Sequence, residues 1–290
     1  MPTYYALKIA LFIAPRVPHD VGYFICSLVG LIFWVFNRPA RKAITNNITH
    51  VLGPTASRSI VNKYVRQVFV NIAKDYYDLV LLSTKRRGAM LDRLSVEGVE
   101  NAERALSQGK GLIIAFVHMA GFNLAFELAT VLGFPVWVVV EPLKPIKVGR
   151  LVTSLRSSPG VNIIEADSSV VRNILRVLRA NGTVVLAIDR SVSNKGVEVT
   201  FCNYKTLLPA GAATLALRTG AALCPLLITR LHGNRVHLKL YEELEKPSTG
   251  DFEQDVRILT QRLADIFSQH IQRHPGQWVM ARDVWSETAN

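Results

Sequence analysis

His118 closes an apolar run, residues 112–117 (LIIAFV), and a helical pattern opens near Gly121, so this histidine stands at a strand-to-helix junction. In an open α/β sheet the carboxyl ends of the strands border the crevice where ligands bind. Because a histidine titrates near neutrality, one placed there can take a proton from a hydroxyl at pH 7. The same position also suits a side chain that merely caps the following helix. Two further apolar runs end on ionisable residues: 136–140 stops at Glu141, and 184–188 stops at Asp189, followed by Arg190. If the three strands are parallel neighbours, His118, Glu141 and Asp189 converge on one crevice suited to acid–base work. The structural alternatives are a plain turn residue before Pro142 for Glu141, and an ion pair with Arg190 or Arg156 for Asp189.

A third cue is Pro209-Ala210-Gly211, which opens an apolar helix after a strand and a loop. Such a start leaves backbone N–H groups facing outward, where they suit an oxyanion or a phosphate. Other constellations are missing from the sequence: it has no Gly-x-Ser-x-Gly, no Gly-rich phosphate loop with a following Lys, no His-Glu-x-x-His and no Cys-x-x-Cys. Serine-nucleophile and metal-dependent chemistry are therefore set aside, and neither a metal nor a resident cofactor is expected. Cys26, Cys202 and Cys224 are odd in number, widely spaced and set among apolar residues, which fits a reducing compartment.

The elements that must position these residues follow from texture. After Ser95, near-continuous apolar runs at 112–117, 136–140, 161–164, 184–188 and 223–228 read as strands covered on both faces. Helical patterns at 121–132, 168–180 and 210–219 lie between them, giving βαβ units and an α/β fold with a largely parallel central sheet flanked by helices. Residues 197–201 and 236–240 alternate and are expected at sheet edges, and 252–270 forms a closing amphipathic helix. Upstream, apolar residues recur at helical spacing from 57 to 82 (Ile60, Tyr64, Val68, Ile72, Tyr76, Val80), and this stripe is expected to be core. The chain thus divides into a helical N-terminal region, residues 1–90, and an α/β core, residues 91–290, within one structural domain.

The chain has 290 residues with 49% hydrophobic and 19% charged, enough for one large α/β domain. A formal net charge of +12 attracts anions of any kind. The mean hydropathy of +0.22 and the lack of any nucleic-acid-binding module favour anionic membrane lipid over nucleic acid. Residues 21–36 form an apolar run shorter than the roughly 20 residues of a spanning helix. Arg38, Arg41 and Lys42 follow at once, a pairing that suits the inner, anionic face of a cell membrane. The run reads as an interfacial anchor or as a buried helix, and Lys8 with Pro15, Arg16 and Pro18 argue against a cleaved signal peptide.

Taken together, the strand-to-His118 block, Glu141-Pro142-Leu143-Lys144-Pro145, Asp189-Arg190 with its Pro209-Ala210-Gly211 helix start, and His274-Pro275 with Gln277-Trp278 resemble the lysophospholipid acyltransferase superfamily. The likeness is closer to its lipid A biosynthesis acyltransferase branch, which includes mycobacterial phosphatidylinositol mannoside acyltransferases. The resemblance implies transfer of a fatty acyl group from acyl-CoA or acyl-carrier protein, a co-substrate, to a hydroxyl of a lipid or glycolipid. The family's His-x-x-x-x-Asp/Glu motif falls on His118 and Asn123, so the carboxylate that should orient the imidazole is here an amide. An amide can accept an Nδ1–H bond but does not stabilise an imidazolium as a carboxylate does. Glu141 and Asp189 are the better sources of that charge, and Glu127, one turn beyond Asn123, would point further away. Arg156 resembles the family's basic residue beside the site, Lys144, Lys147 and Arg150 are expected to meet the donor's phosphates, and Arg190 is a further candidate for substrate binding. The opposing reading is a catalytically impaired lipid-binding member of the family, with Asn123 as the cause.

Overall fold

The computed structural model describes residues 2–156, 159–189 and 196–285. In chain order its strands are β1 (Leu94–Glu97), β2 (Leu112–Phe116), β3 (Val136–Val140), β4 (Val161–Glu165), β5 (Thr183–Ala187), β6 (Val197–Phe201), β7 (Tyr204–Leu208), β8 (Ala222–Arg230) and β9 (Val236–Leu240). Seven of them form one sheet in the spatial order β1-β9-β8-β2-β5-β3-β4, parallel throughout except for the β8–β9 hairpin. This is an α/β fold with a mostly parallel sheet flanked by helices. Every residue of β2 is buried, as its unbroken LIIAF run requires of a strand paired on both sides and covered on both faces.

Two expected edge strands lie elsewhere. Residues 236–240 sit between β1 and β8, because the short LSVE strand, which has no apolar run to reveal it, pairs outside them. Residues 197–201 leave the main sheet and pair with β7 in a separate hairpin. Its two loop residues, Cys202 and Asn203, both have positive φ (48° and 70°), the backbone of a tight two-residue turn whose twist matches that of the strands. The hairpin is pinned to the C-terminal helix (Phe252–Arg273) by Gln261 at Thr200 and by Ser268 at the Cys202 amide.

The N-terminal region folds as α1 (Pro2–Ile13), α2 (His19–Phe36), α3 (Arg38–Leu52) and α4 (Arg58–Leu82). Ser57 caps α4 by accepting from the Ile60 amide. Helix α2 seats on α4 through Gly22, Tyr23 and Gly30, which are buried. A Cβ at Gly30 would meet the Val70 Cα at 2.6 Å, so a larger residue would push the helices apart. The expected α4 stripe is corrected at two positions, Ile60 and Tyr76, which are exposed, and in the helix's last turns Asp75 and Asp78 are buried. Helix α3 holds the C-terminal segment: Asn47 donates to the carbonyls of Met280 and Arg282 and accepts from the Val284 amide. One hydrophobic cluster accordingly runs from Tyr23 and Tyr77 through the sheet to Trp285.

Candidate functional site

Strand β5 lies between β2 and β3, and all three are parallel. His118 and Asp189, each two residues past its strand, and Glu141, one residue past β3, therefore share one edge of the sheet. His118 and Glu141 line a cavity of about 360 Å³ there, together with Arg156, Asn123, Asp75 and Tyr76. The rest of its wall is largely apolar, with Phe116, Phe122, Val138, Val140, Leu143 and Leu186.

His118 and Asp189 are directly paired. Asp189 Oδ1 lies 2.8 Å from the ring Nδ1, and Oδ2 accepts the backbone N–H of His118 at 2.8 Å and the indole N–H of Trp278 at 2.9 Å. The Asp189 side chain is fully buried and the His118 side chain is one-quarter exposed. Burial alone would raise the Asp189 carboxyl, but the neighbouring His118 ring and the donated hydrogen bonds hold it below its usual range. A carboxylate on the Nδ1 side fixes the tautomer with its proton on Nδ1 and leaves Nε2 as the basic nitrogen.

The backbone around His118 is clamped from two sides. The His118 carbonyl accepts from the Val279 amide at 2.8 Å, and the Ala120 amide donates to the Gln277 carbonyl at 2.7 Å, so the HPGQW segment runs against the turn after His118. On the other side, the Gly121 amide donates to Asp75 Oδ1 at 2.6 Å. Gly121 has φ 91°, and a Cβ there would meet Val236 at 2.6 Å, so the turn requires glycine. Beyond it the chain winds as a 3-10 stretch, Phe122–Glu127, and then as a short helix, Leu128–Leu132, instead of one helix over 121–132. In that stretch Asn123 and Glu127 are drawn toward α4 and toward Arg87.

Asn123 does not touch the imidazole. Its Nδ2 donates to the Asp75 backbone carbonyl at 3.0 Å, and the expected role in holding the ring belongs geometrically to Asp189. Glu127 is buried and bound to Arg87 through both carboxylate oxygens. Glu141 lies 3.9 Å from Arg282. Arg156 lies beside the Phe122 ring, 5.8 Å from its centroid, and burial pulls its guanidinium below its ordinary value. Lys144, Lys147 and Arg150 are exposed on the loop and helix after Leu143 and do not line the cavity. Pro209 precedes the helix Gly211–Thr219, and neither Pro209 nor Gly211 reaches the cavity wall. Arg190 lies outside the described residues. Among the described residues no group of three or more His, Cys, Asp or Glu comes together to hold a metal ion.

Sequence reasoning missed Asp75, Asp78 and Arg230, which brace this site. Asp75 and Asp78 sit three apart in the apolar DYYDLVLL stretch, the spacing of one helix face, and that spacing was the available signal. Both carboxylates bind Arg230 Nη2, at 2.6 Å from Asp75 Oδ1, and Tyr23 donates to Asp78 at 2.6 Å. Trp278 belongs to the Gln277-Trp278 pair that carries the resemblance, and its bond to Asp189 emerges only in three dimensions.

The sequence model described as bacterial lipid A biosynthesis acyltransferase matches residues 1–287. The chain is similar to the phosphatidylinositol mannoside acyltransferase of Mycolicibacterium smegmatis, 28% identical over 262 residues, which are 87% of this chain and 84% of that one. It is similar also to the protein of that name from Mycobacterium tuberculosis strain CDC 1551, 29% identical over 233 residues, covering 79% and 69% of the two chains. Among solved structures it resembles the 1-acyl-sn-glycerophosphate (LPA) acyltransferase PlsC of Thermotoga maritima, with 14% identity and a TM-score of 0.38 over 86% of this chain and 97% of that one.

Proposed function

The chain belongs to the bacterial lipid A biosynthesis acyltransferase family, and from that premise we propose that it is an O-acyltransferase with His118 as its general base. It moves a fatty acyl group from a thioester, acyl-CoA or acyl-carrier protein, to a hydroxyl of a membrane lipid or glycolipid. The observation that carries this reading is the His118 ring, held on Nδ1 by a buried carboxylate and opening on a largely apolar cavity.

In the reaction, Nε2 takes the proton of the acceptor hydroxyl as its oxygen attacks the thioester carbonyl carbon. The tetrahedral intermediate then expels the thiolate, the C–S bond breaks, and the imidazolium returns its proton to sulfur. Asp189 stabilises the imidazolium in between, which a neutral amide would do poorly. Because Asn123 makes no bond to the ring, its amide does not deprive the base of a charged partner, and the lipid-binding alternative loses its main ground. The apolar wall suits an acyl chain, and Arg156 and Arg282 supply positive charge at the cavity for phosphate groups.

The same reading places the protein on the inner face of the membrane, without crossing it. Phe24, Ile25, Leu28, Ile32, Phe33 and Phe36 on α2, with Ile9 and Phe12 on α1, form an exposed apolar surface of the kind that inserts into the interface. Helix α2 is long and apolar enough to cross a bilayer, but its Gly22, Tyr23 and Gly30 face is committed to α4, which supports a helix lying in the interface. The full-length protein in anionic vesicles, given radiolabelled acyl-CoA and a bacterial lipid extract, should produce labelled lipid. A His118→Ala protein that is folded and equally active would overturn the mechanism.

A further inference from the structure

A second pocket opens on a different flank of α4 and shares no lining residue with the His118 cavity. Its volume is about 480 Å³, and its wall includes Asn71 and Lys74 on α4, Arg230 at the end of β8, His232 and Asn234 in the β8–β9 turn, and Gln277. Among the described residues no acidic side chain lines it.

The positive charge around this pocket is short of partners. Among the described residues Lys74 Nζ has one hydrogen-bond acceptor, the neutral Oδ1 of Asn234 at 3.0 Å, and no ion pair. Burial and then the Arg230 charge pull its ammonium below its ordinary value, and Asp78 and Asp75 do not cancel that pull. Arg230 stands deeper in the wall, its side chain 5% exposed. Asp75 and Asp78 both take Nη2, and the buried Nε and Nη1 have no hydrogen-bond partner. Arg93 reaches the same turn and donates to the Gly233 carbonyl at 2.8 Å. Three cations thus meet Asp78 and an Asp75 carboxyl that burial raises to about 7.

A buried donor without an acceptor is costly, and donors gathered on positive charge suit an anion with several acceptor oxygens. A carboxylate offers two oxygens in one plane. A tetrahedral phosphate can present oxygens to α4, to Arg230 and to the β8–β9 turn together. The pocket also lies beside the helix with the exposed apolar surface, since Lys74 Nζ is 6.0 Å from the centre of the Tyr23 ring on α2. Gln277 joins it to the turn after His118: its side chain binds the backbone N–H and carbonyl of Arg230, and its own carbonyl accepts the Ala120 amide.

We propose that Lys74, Arg230 and the His232–Asn234 turn form a phosphate-binding site separate from the His118 cavity, filled by a phospholipid headgroup or by free phosphate, which clamps the β8–β9 turn to α4. Binding there needs neither acyl donor nor acceptor, so the site stands or falls independently of acyl transfer.

The test is calorimetric titration of the full-length protein in dodecyl maltoside with two probes, inorganic phosphate and dihexanoyl phosphatidylglycerol. The wild type should bind at least one of them saturably at one site. Lys74→Gln should weaken that binding by about 10- to 100-fold, whereas Lys63→Gln, which removes an exposed charge elsewhere on α4, should bind as the wild type does. Binding of phosphate alone identifies the free ion as the occupant, binding of phosphatidylglycerol alone identifies the lipid headgroup, and competition between the two shows that both use the site. His232→Glu, a change at an exposed turn position that sets a negative charge at the pocket, should abolish binding and keeps the test decisive where Lys74→Gln folds poorly. No saturable binding of either probe by the wild type would show that the pocket holds water only. Binding that Lys74→Gln and His232→Glu leave unchanged would show that the anion sits elsewhere, and either result overturns the site.

Discussion

Asp189 grips His118 twice, with one carboxylate oxygen on the ring Nδ1 and the other on the backbone N–H, each at 2.8 Å. Ring orientation and backbone position are thus set by the same buried side chain, and a change at Asp189 disturbs both. Asp189→Asn, nearly the same in shape, should lower kcat by about 10³- to 10⁴-fold, because an amide can stabilise the wrong tautomer and carries no charge for the imidazolium. His118→Ala should lose at least about 10²- to 10⁴-fold, with the fold retained. Single-turnover acyl transfer measured beside circular dichroism checks both, and an Asp189→Asn protein at wild-type rate would show that this carboxylate is only structural.

Trp278 donates its indole N–H to the same carboxylate while its ring packs against Phe201 and Trp285. Trp278→Phe keeps much of the ring packing and removes the donor. Loss of one hydrogen bond to a charged group costs on the order of 1.5–3 kcal/mol, part of which should appear as a kcat about tenfold lower with the acceptor KM little changed. Steady-state kinetics of this variant would separate that outcome from a general loss of stability, which a melting curve reports.

Membrane binding should depend on side chains that the fold itself does not use. Phe24 is 64% exposed and Phe33 is 56% exposed, on opposite flanks of α2. Replacing both by Glu should leave the melting temperature close to that of the wild type and weaken sedimentation with anionic vesicles by at least about 100-fold, since each inserted Phe contributes roughly 1.5–3 kcal/mol. Deleting residues 1–42 is a poorer experiment, because it strips α2 from α4 and takes from the buried Asp78 the hydrogen bond that Tyr23 donates. Unchanged vesicle binding by the Glu variant would remove α2 as the anchor.

The buried Asp75 carries a prediction about pH. Burial raises its carboxyl from 3.8 to about 7, with Asp78 adding to the rise, while Arg230 and the Gly121 amide pull the other way. The folded protein therefore holds a proton that the unfolded chain releases between these values, so this group's contribution is fully present below 3.8 and is lost as pH rises through about 7. Wild-type melting temperature should fall between about pH 5 and about pH 8, and the fall should be smaller in Asp75→Asn. Parallel slopes for the two proteins would show that Asp75 keeps the same proton whether folded or not.

What the sequence made legible was whatever strand texture and strand ends express. The runs ending at His118, Glu141 and Asp189 were readable because buried parallel strands are apolar throughout, and their shared edge followed once β5 was seen between β2 and β3. Strand β1 was invisible, since LSVE alternates over four residues and gains its place only by pairing with β9. Asp75, Arg230 and the bond of Trp278 to Asp189 were hidden for another reason: these residues meet His118, its turn and Asp189 from α4, β8 and the C-terminal segment, and no local spacing encodes that meeting. The resemblance implies a contact between Asn123 and the imidazole, whereas the 3-10 turn after Gly121 carries the Asn123 side chain to α4.

That misplacement makes Asn123→Asp the most informative single change. Were Asn123 the partner of the ring, a carboxylate there would speed the reaction by stabilising the imidazolium. In this structure Asp189 already holds Nδ1, and the Asn123 N–H instead satisfies the Asp75 carbonyl. An aspartate at 123 would leave that buried carbonyl without its donor and bring a third acidic side chain close to Asp75 and Asp78. Losing the hydrogen bond alone costs about 1–3 kcal/mol, so the melting temperature should drop and the rate should stay level or fall. Melting curves and kcat measured on the same preparations decide between the two: a rise in kcat at undiminished stability would show that position 123 acts on His118 after all.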